Sequence, residues 1–174
     1  REKGDDAQIQ DFLDHIAGAL LAVVLVVTAL GIALSPYIAQ LFLAFADKNS
    51  EQVALTASML RITFPYLTFI SMTALAGAVM NSFKHFGLPA FIPVLHNLAV
   101  IFAMLVLAQY FEIPAYALAW GVCLAGFLQF CVMWPALGRF GFKPKFKLNF
   151  KHEGVQRVFK LMLSTIFSSS VAQL

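Results

Sequence analysis

The sequence predicts an all-α fold, a polytopic helical membrane protein, and three observations carry that expectation. Hydrophobic residues make up 60% of the 174 residues and charged residues only 12%, with a mean hydropathy of +0.80. Soluble domains carry about twice that share of charge, which they need to cover a water-facing surface. The apolar residues fall in runs of about 20, the length that crosses a bilayer core as a helix. The few charges gather in the short stretches between those runs.

Residues 1–14 are polar and of mixed charge, and no Asp, Glu, Lys or Arg lies between Asp14 and Asp47. A first span is expected over residues 15–43, its core at Ile16 to Leu34, with Pro36 near the far end. The polar residues 47–52 form a loop. Ser50 suits the N-cap of the next helix, with Glu51 in its first turn. The second span is expected over residues 53–83. It contains Pro65, which must release a backbone hydrogen bond or kink the helix. Membrane helices tolerate this where neighbouring groups satisfy the freed carbonyl. A basic turn, KHFGLP at residues 84–89, leads into a third span over 90–111 with Pro93 in its first turn. Glu112, Ile113 and Pro114 make the next turn. The fourth span is expected over 115–137, ending near Trp134 and Pro135. Tyr110, Tyr116 and Trp134 fall at span ends, where aromatic belts form.

The basic stretch that follows carries seven cations: Arg139, Lys143, Lys145, Lys147, Lys151, Arg157 and Lys160. A loop is expected over 139–154 and a fifth span over 155–174. Asn149 is a candidate cap there. Val155, Val158, Phe159 and Met162 make one apolar face, which fits a helix lying at the interface before it turns into the bilayer. The chain opens at Arg1 without Met or a signal-peptide pattern and stops at Leu174 inside this apolar segment. An internal stretch of a longer protein is therefore expected.

The net charge of +3 is no nucleic-acid signal, because nearly all the surplus sits in that one loop. It orients the chain instead. Ten Lys or Arg fall on one side (Arg1, Lys3, Lys84 and the seven) and two on the other, Lys48 and Arg61. The ten-cation side is expected to be cytoplasmic. Cys123 and Cys131 lie eight apart in one span, about 12 Å of helical rise. That is too far for a disulfide between them, and the spacing suits no zinc site. They read as small buried residues. Ala117, Gly121 and Ala125, and likewise Ala74 and Ala78, recur at the spacing that lets helix backbones approach closely in lipid.

Polar groups inside a span are costly and tend to face a cavity or a partner helix. Arg61 stands four residues before Pro65 at the outer end of the second span. It is either a snorkelling arginine at a helix end or a cavity cation for an anionic substrate. Asn81, Ser82 and Lys84 close the second span and are gate candidates, although Asn81 and Ser82 also suit a helix end. His96 and Asn97 inside the third span are expected to make an interhelical hydrogen-bonding element. Ser168, Ser169, Ser170 and Gln173 make the fifth span unusually polar, a hint of a hydrated cavity, although serines also bond back to their own helix. No Asp or Glu lies within the first four spans. Catalytic motifs, nucleotide-binding loops and paired carboxylates are absent from the sequence. No catalytic residue, metal or cofactor is expected, and the chain is not expected to be an enzyme.

Two segments resemble a known family. One is Leu60 to Asn97, LRITFPYLTFISMTALAGAVMNSFKHFGLPAFIPVLHN. The other is Asn149 to Gln173, NFKHEGVQRVFKLML followed by the polar TIFSSSVAQ. The ITFPY block, the GA-x-x-N helix end, the PAF-x-P start of the next helix and ALAWGV at Ala117 to Val122 are similar to the MurJ/MviN family of bacterial lipid II flippases. The resemblance covers the whole chain in order and spacing. It implies a MATE-like bundle of about fourteen spans, in which two lobes alternate between inward and outward openings. This stretch would supply about spans three to seven, part of one lobe, in the bacterial inner (cytoplasmic) membrane. The implied substrate is lipid II, an undecaprenyl-diphosphate glycopeptide, moved from the inner to the outer leaflet. A charged head group cannot cross hydrocarbon unaided. The family's cavity arginines lie in spans outside this stretch, so none is carried over. The gate would fall at Asn81 to Gly87. Leu163 and Ser164 depart from the Gly-Pro pattern of many relatives, and a straighter seventh helix follows from that. Other function classes are a flippase for another polyprenyl-diphosphate glycan, a non-transporting scaffold of cell-wall synthesis, and a membrane transferase. The transferase lacks an acidic residue in its spans. Expected partners are lipid II, membrane lipids and proteins of cell-wall synthesis, with no nucleic acid.

Overall fold

The computed structural model describes residues 2–43, 50–149, 154–158 and 160, with side chains from Ala7 onward. Five α-helices are described: α1 Glu2–Phe42, α2 Ser50–Thr63, α3 Pro65–Ser82, α4 Gly87–Phe102 and α5 Ala115–Arg139. A π-helical turn, Ala103–Leu107, and a 3₁₀ turn, Ala108–Tyr110, prolong α4. No strand occurs among the described residues. Four helical stretches are long and apolar enough to cross a membrane: Ala7–Phe42, Ser50–Ser82, Gly87–Tyr110 and Ala115–Arg139. Large apolar side chains cover their outer faces, Leu105 being 77% and Leu41 70% exposed. That exterior suits lipid and would aggregate in water.

The chain divides into two units, and Val23–Gly141 is the larger. Its helices alternate in direction. Thr28 faces Thr68 at 3.1 Å, Phe64 crowds Gly31, and Ser35 meets Arg61, so α1 runs antiparallel to α2 and α3. On α5, Gly126 lies against Tyr66 and Phe69, and Met133 reaches Gly77, so α5 runs parallel to α3. Pro89 approaches Gly77 and His96 approaches Tyr66, which makes α4 antiparallel to α3. Small residues set the contacts of α5. Ala117 and Ala125 are fully buried, and a Cβ on Gly121 would stand 2.6 Å from the Cβ of Ala103. The ridge expected at Ala117, Gly121 and Ala125 is therefore a packing surface. Ala74 and Ala78 are not, because both are exposed. Helix α3 buries Met72, Thr73, Ala76, Gly77, Val79 and Met80 instead, which places the two alanines on its other side. Cys123 is half-buried and Cys131 exposed, both as free thiols, so Cys131 is not the buried residue expected.

Proline breaks one helix and leaves three intact. Phe64 interrupts the second span, with Pro65 as the first residue of α3. Pro36, Pro93 and Pro135 lie inside α1, α4 and α5. Helix α5 passes Pro135 and ends at Arg139 rather than near Trp134. A proline so close to the end frees only the Cys131 carbonyl, and the buried Met133 and Leu137 hold the last turns in place.

The second unit comprises residues 1–22 and 142–174. Helix α1 begins at Glu2, before the 15–43 expected for the span, and a non-helical run at 142–149 lies along its first turns. The Gln10 amide donates to the Lys143 carbonyl at 2.8 Å, and the Lys143 N–H donates back to Gln10 Oε1 at 3.3 Å. Asp14 accepts from the Lys145 N–H at 2.8 Å and from Gln10 at 2.8 Å. The Lys147 N–H donates to the Asp14 carbonyl at 3.2 Å. A spacing match explains the fit. Residues 10, 14 and 18 share one helix face at about 6 Å per step, and alternate residues of an extended chain rise about 6.6 Å per step. At the third step the Lys147 backbone overlaps the space a Cβ on Gly18 would fill, its carbonyl carbon only 2.7 Å away. Only glycine admits that approach. Lys147 Nζ pairs with Asp11 at 2.9 Å and Asp14 at 3.1 Å. Its hydrogen bonds to Asp11 and then Asp14 raise the ammonium above the ordinary lysine range. The Lys147 contribution to the clasp is thus fully present at neutral pH and is lost as pH climbs through that raised value.

Residues 154–158 are helical, with Val155 buried. Phe159, Met162, Leu163 and Ser164 lie outside the described residues.

Candidate functional site

The sequence candidates separate into two places at opposite ends of α3, about 27 Å apart by helical rise. Ser168, Ser169, Ser170 and Gln173 lie outside the described residues.

At one end stands Arg61. Pro36 has no N–H for the carbonyl of Ile32 four residues earlier. The Ser35 hydroxyl, fully buried, donates to that carbonyl at 2.9 Å. Arg61 Nε then donates to Ser35 Oγ at 2.9 Å. The arginine is exposed, so its guanidinium is anchored through Nε and presents its remaining N–H groups outward. Arg61 also carries the carbonyl that Pro65 frees, by the same four-residue rule. One serine thereby joins the two proline sites of neighbouring helices. The sequence singled out Arg61, Pro36 and Pro65 separately. It missed Ser35, whose signal is a hydroxyl directly before an intrahelical proline. Ser35→Ala is expected to lower stability by about 1–2 kcal/mol, measured as thermal unfolding in detergent. In a double-mutant cycle with Arg61→Met, strict additivity would deny the link.

At the other end, α3 closes in a Schellman motif. The His85 N–H donates to the Met80 carbonyl at 2.9 Å, and the Lys84 N–H to the Asn81 carbonyl at 3.0 Å. The position between them that usually holds glycine is Lys84, at φ 63°. The Ser82 hydroxyl bonds back to the Ala78 carbonyl at 2.9 Å, so the helix end is capped by backbone. Asn81, Ser82 and Lys84 are exposed together. The His85 ring stacks on Phe140 at 4.1 Å, which ties this turn to the end of α5. A lysine held at positive φ costs about 1 kcal/mol relative to glycine. Lys84→Gly is therefore expected to raise thermal stability by about that amount. An unchanged or lower midpoint would mean that the lysine side chain itself supports the turn.

Midway along the larger unit, the His96 ring packs at a tilt against the Tyr66 ring, 5.7 Å between centroids. Its Nδ1 is buried without a hydrogen-bond partner, and Asn97 is exposed. The expected interhelical hydrogen bond from His96 and Asn97 is absent among the described residues, because the fourth helix turns Asn97 outward and offers His96 an aromatic neighbour. Thr73 Oγ1 and Gln129 Oε1 are likewise buried and unpartnered. Among the described residues no group of His, Cys, Asp and Glu is placed to hold a metal ion.

Alternating spans, apolar exteriors, a cationic turn at one end and an anchored arginine at the other define a multi-pass helical membrane protein. The family model described as lipid II flippase MurJ matches residues 1–174. The chain belongs to the MurJ family. It is 38% identical over 177 residues to the lipid II flippase MurJ of Burkholderia cenocepacia, covering 99% of this chain and 34% of the relative. The probable lipid II flippase MurJ of Haemophilus influenzae is 36% identical, with 100% and 36% covered. That of Vibrio cholerae is 34% identical, with 98% and 34% covered. The chain thus spans about a third of the length of the curated relatives it matches.

Proposed function

We propose that the full-length protein flips lipid II from the inner to the outer leaflet of the bacterial cytoplasmic membrane, by alternating access and without catalysing a reaction. The observation that supports this most is the family match along the entire chain, together with relatives that carry that name at up to 38% identity. The physical arrangement is compatible. The exposed turn of Asn81, Ser82 and Lys84 is the gate on the basic side, and Arg61 is a path cation on the opposite side. Ser168, Ser169, Ser170 and Gln173 are the candidates for a polar wall in the fifth span. Proteins of cell-wall synthesis are candidate partners.

The test is lipid II leaflet topology in cells depleted of the full-length protein, read with a probe that reports only outward-facing lipid II. Loss of the outward signal, restored by the intact gene, is the expected result. Unchanged topology would replace this function with transport of another polyprenyl-diphosphate glycan or with a scaffold role. Within that assay Lys84 separates turn geometry from charge. Lys84→Glu is expected to impair flipping severely, whereas wild-type flipping by it would remove Lys84 from the gate.

A further inference from the structure

The contact between α1 and the run at 142–149 is not used by the gate or by Arg61, and it sits at a definite depth. Asp14 is the last formal charge before the uncharged stretch that continues to Asp47. Its side chain, only 4% exposed, accepts from the Lys145 N–H and from Lys147 Nζ. The segment is therefore pinned where α1 passes from polar residues into its apolar run, which is the level of a bilayer interface.

The pinned segment reads Lys143, Pro144, Lys145, Phe146, Lys147, Leu148. Cations and apolar groups alternate along it. Main-chain N–H groups of the three lysines face α1. Lys147 is neutralised internally by Asp11 and Asp14. Lys143 and Lys145 are exposed, and no carboxylate pairs with either among the described residues. Phe146 is 47% and Leu148 67% exposed. A water-facing loop gains nothing from an apolar group as exposed as Leu148 beside cations. An interface does, because it offers hydrocarbon edges and anionic phosphate side by side.

We propose that residues 143–148 form an interfacial strap. Gln10, Asp14 and Gly18 hold it on α1, Lys143 and Lys145 engage the phosphate groups of anionic phospholipids, and Leu148 enters the interfacial layer beside them. The occupant is the anionic phospholipid surface of the leaflet on the basic side. The charge pattern selects it, since the free cations stand at the depth where that surface lies. The role of Asp14 is positional. It fixes the backbone, so the lysines project from a set line rather than from a loose loop. This inference holds whatever substrate the full-length protein carries.

The experiment uses the full-length protein in nanodiscs of phosphatidylcholine alone or mixed with phosphatidylglycerol. A fluorophore on Leu148→Cys, in a cysteine-free background, reports depth through quenching by lipids spin-labelled near the head group. Quenching by those lipids, with little quenching by an aqueous quencher, is expected. Quenching by the aqueous agent alone would overturn the strap. The second readout is the phosphatidylglycerol enrichment that survives purification in detergent. Each lysine near an anionic surface contributes about fivefold, so Lys143→Gln with Lys145→Gln should remove most of the enrichment. Lys147→Gln, whose charge is internally paired, should change it far less. Equal enrichment in the wild type and the Lys143, Lys145 double variant would refute the lipid assignment even if the label proves shallow. Both lysines are exposed, so these variants leave the fold intact.

Discussion

Gly121→Leu is expected to abolish stable packing of the larger unit, with a loss above about 3 kcal/mol. Even a bare Cβ at Gly121 would lie 2.6 Å from the Cβ of Ala103, with the backbone of Val100 at 3.7 Å. Neither neighbour is the flexible end of a long side chain, so relief requires α4 and its π-helical turn to move away from α5. Gly126 is a milder case. Its nearest neighbour is the Tyr66 ring at 2.5 Å, which has a rotamer to change, although that ring also packs on His96. Gly77 provides the control, since its Cβ would meet Met133 and Pro89 at 3.7 and 3.8 Å, ordinary contact distances. Gly77→Ala should be neutral, or stabilising by about 0.5–1 kcal/mol through helix propensity. Thermal unfolding in detergent of Gly121→Leu, Gly126→Ala and Gly77→Ala measures the order. A Gly121→Leu protein as stable as Gly77→Ala would show that α4 and α5 do not meet as described.

Asp14→Ala is expected to free residues 143–149 from α1, at a cost of about 2–3 kcal/mol. The substitution removes the acceptor of the Lys145 N–H and of the Gln10 amide, and one of the two partners of Lys147. Asp11 still pairs with Lys147, but both of those groups are half exposed, and a surface pair of that kind contributes little. The loss is local. Amide exchange at Lys145 and Lys147 should accelerate about 30- to 100-fold, while the amides of α3 and α5 keep their rates. Asp14→Asn retains an acceptor oxygen and should accelerate them less. Unaltered exchange in Asp14→Ala would mean that the Gln10 side chain, the Asp14 main-chain carbonyl and the close approach at Gly18 are enough to hold the segment.

Of the candidate site, the sequence yielded the single residues and not their links. Arg61 stood out because a formal charge near a span end is rare, and Lys84 because it opens a basic turn. Neither Ser35 beneath Arg61 nor the glycine-like conformation of Lys84 has a counterpart in hydropathy. The first depends on which helices are neighbours, and the second on how α3 is capped. The small-residue ridges show the same boundary. Spacing alone marks Ala74 and Ala78 as strongly as Ala117, Gly121 and Ala125. Only the packing of α3 on α5 decides that the first pair faces outward.

By itself the sequence determined that this protein is helical, with four stretches among the described residues long and apolar enough to cross a membrane. It also marked the apolar runs of about 20 residues and gathered most of the cations into the stretch after the fourth of them. These follow from solvent transfer, which acts on each residue independently and sums along a run of about 20. Tertiary structure alone decided that Pro65 separates two helices while Pro36 and Pro135 do not. It also decided that Ser35 anchors Arg61, and that Gln10, Asp14 and Gly18 receive a segment more than 120 residues away in the chain. Those outcomes depend on pairs of groups meeting at hydrogen-bond or van der Waals distance. Such meetings depend on which helices become neighbours, and no local property of either partner encodes that.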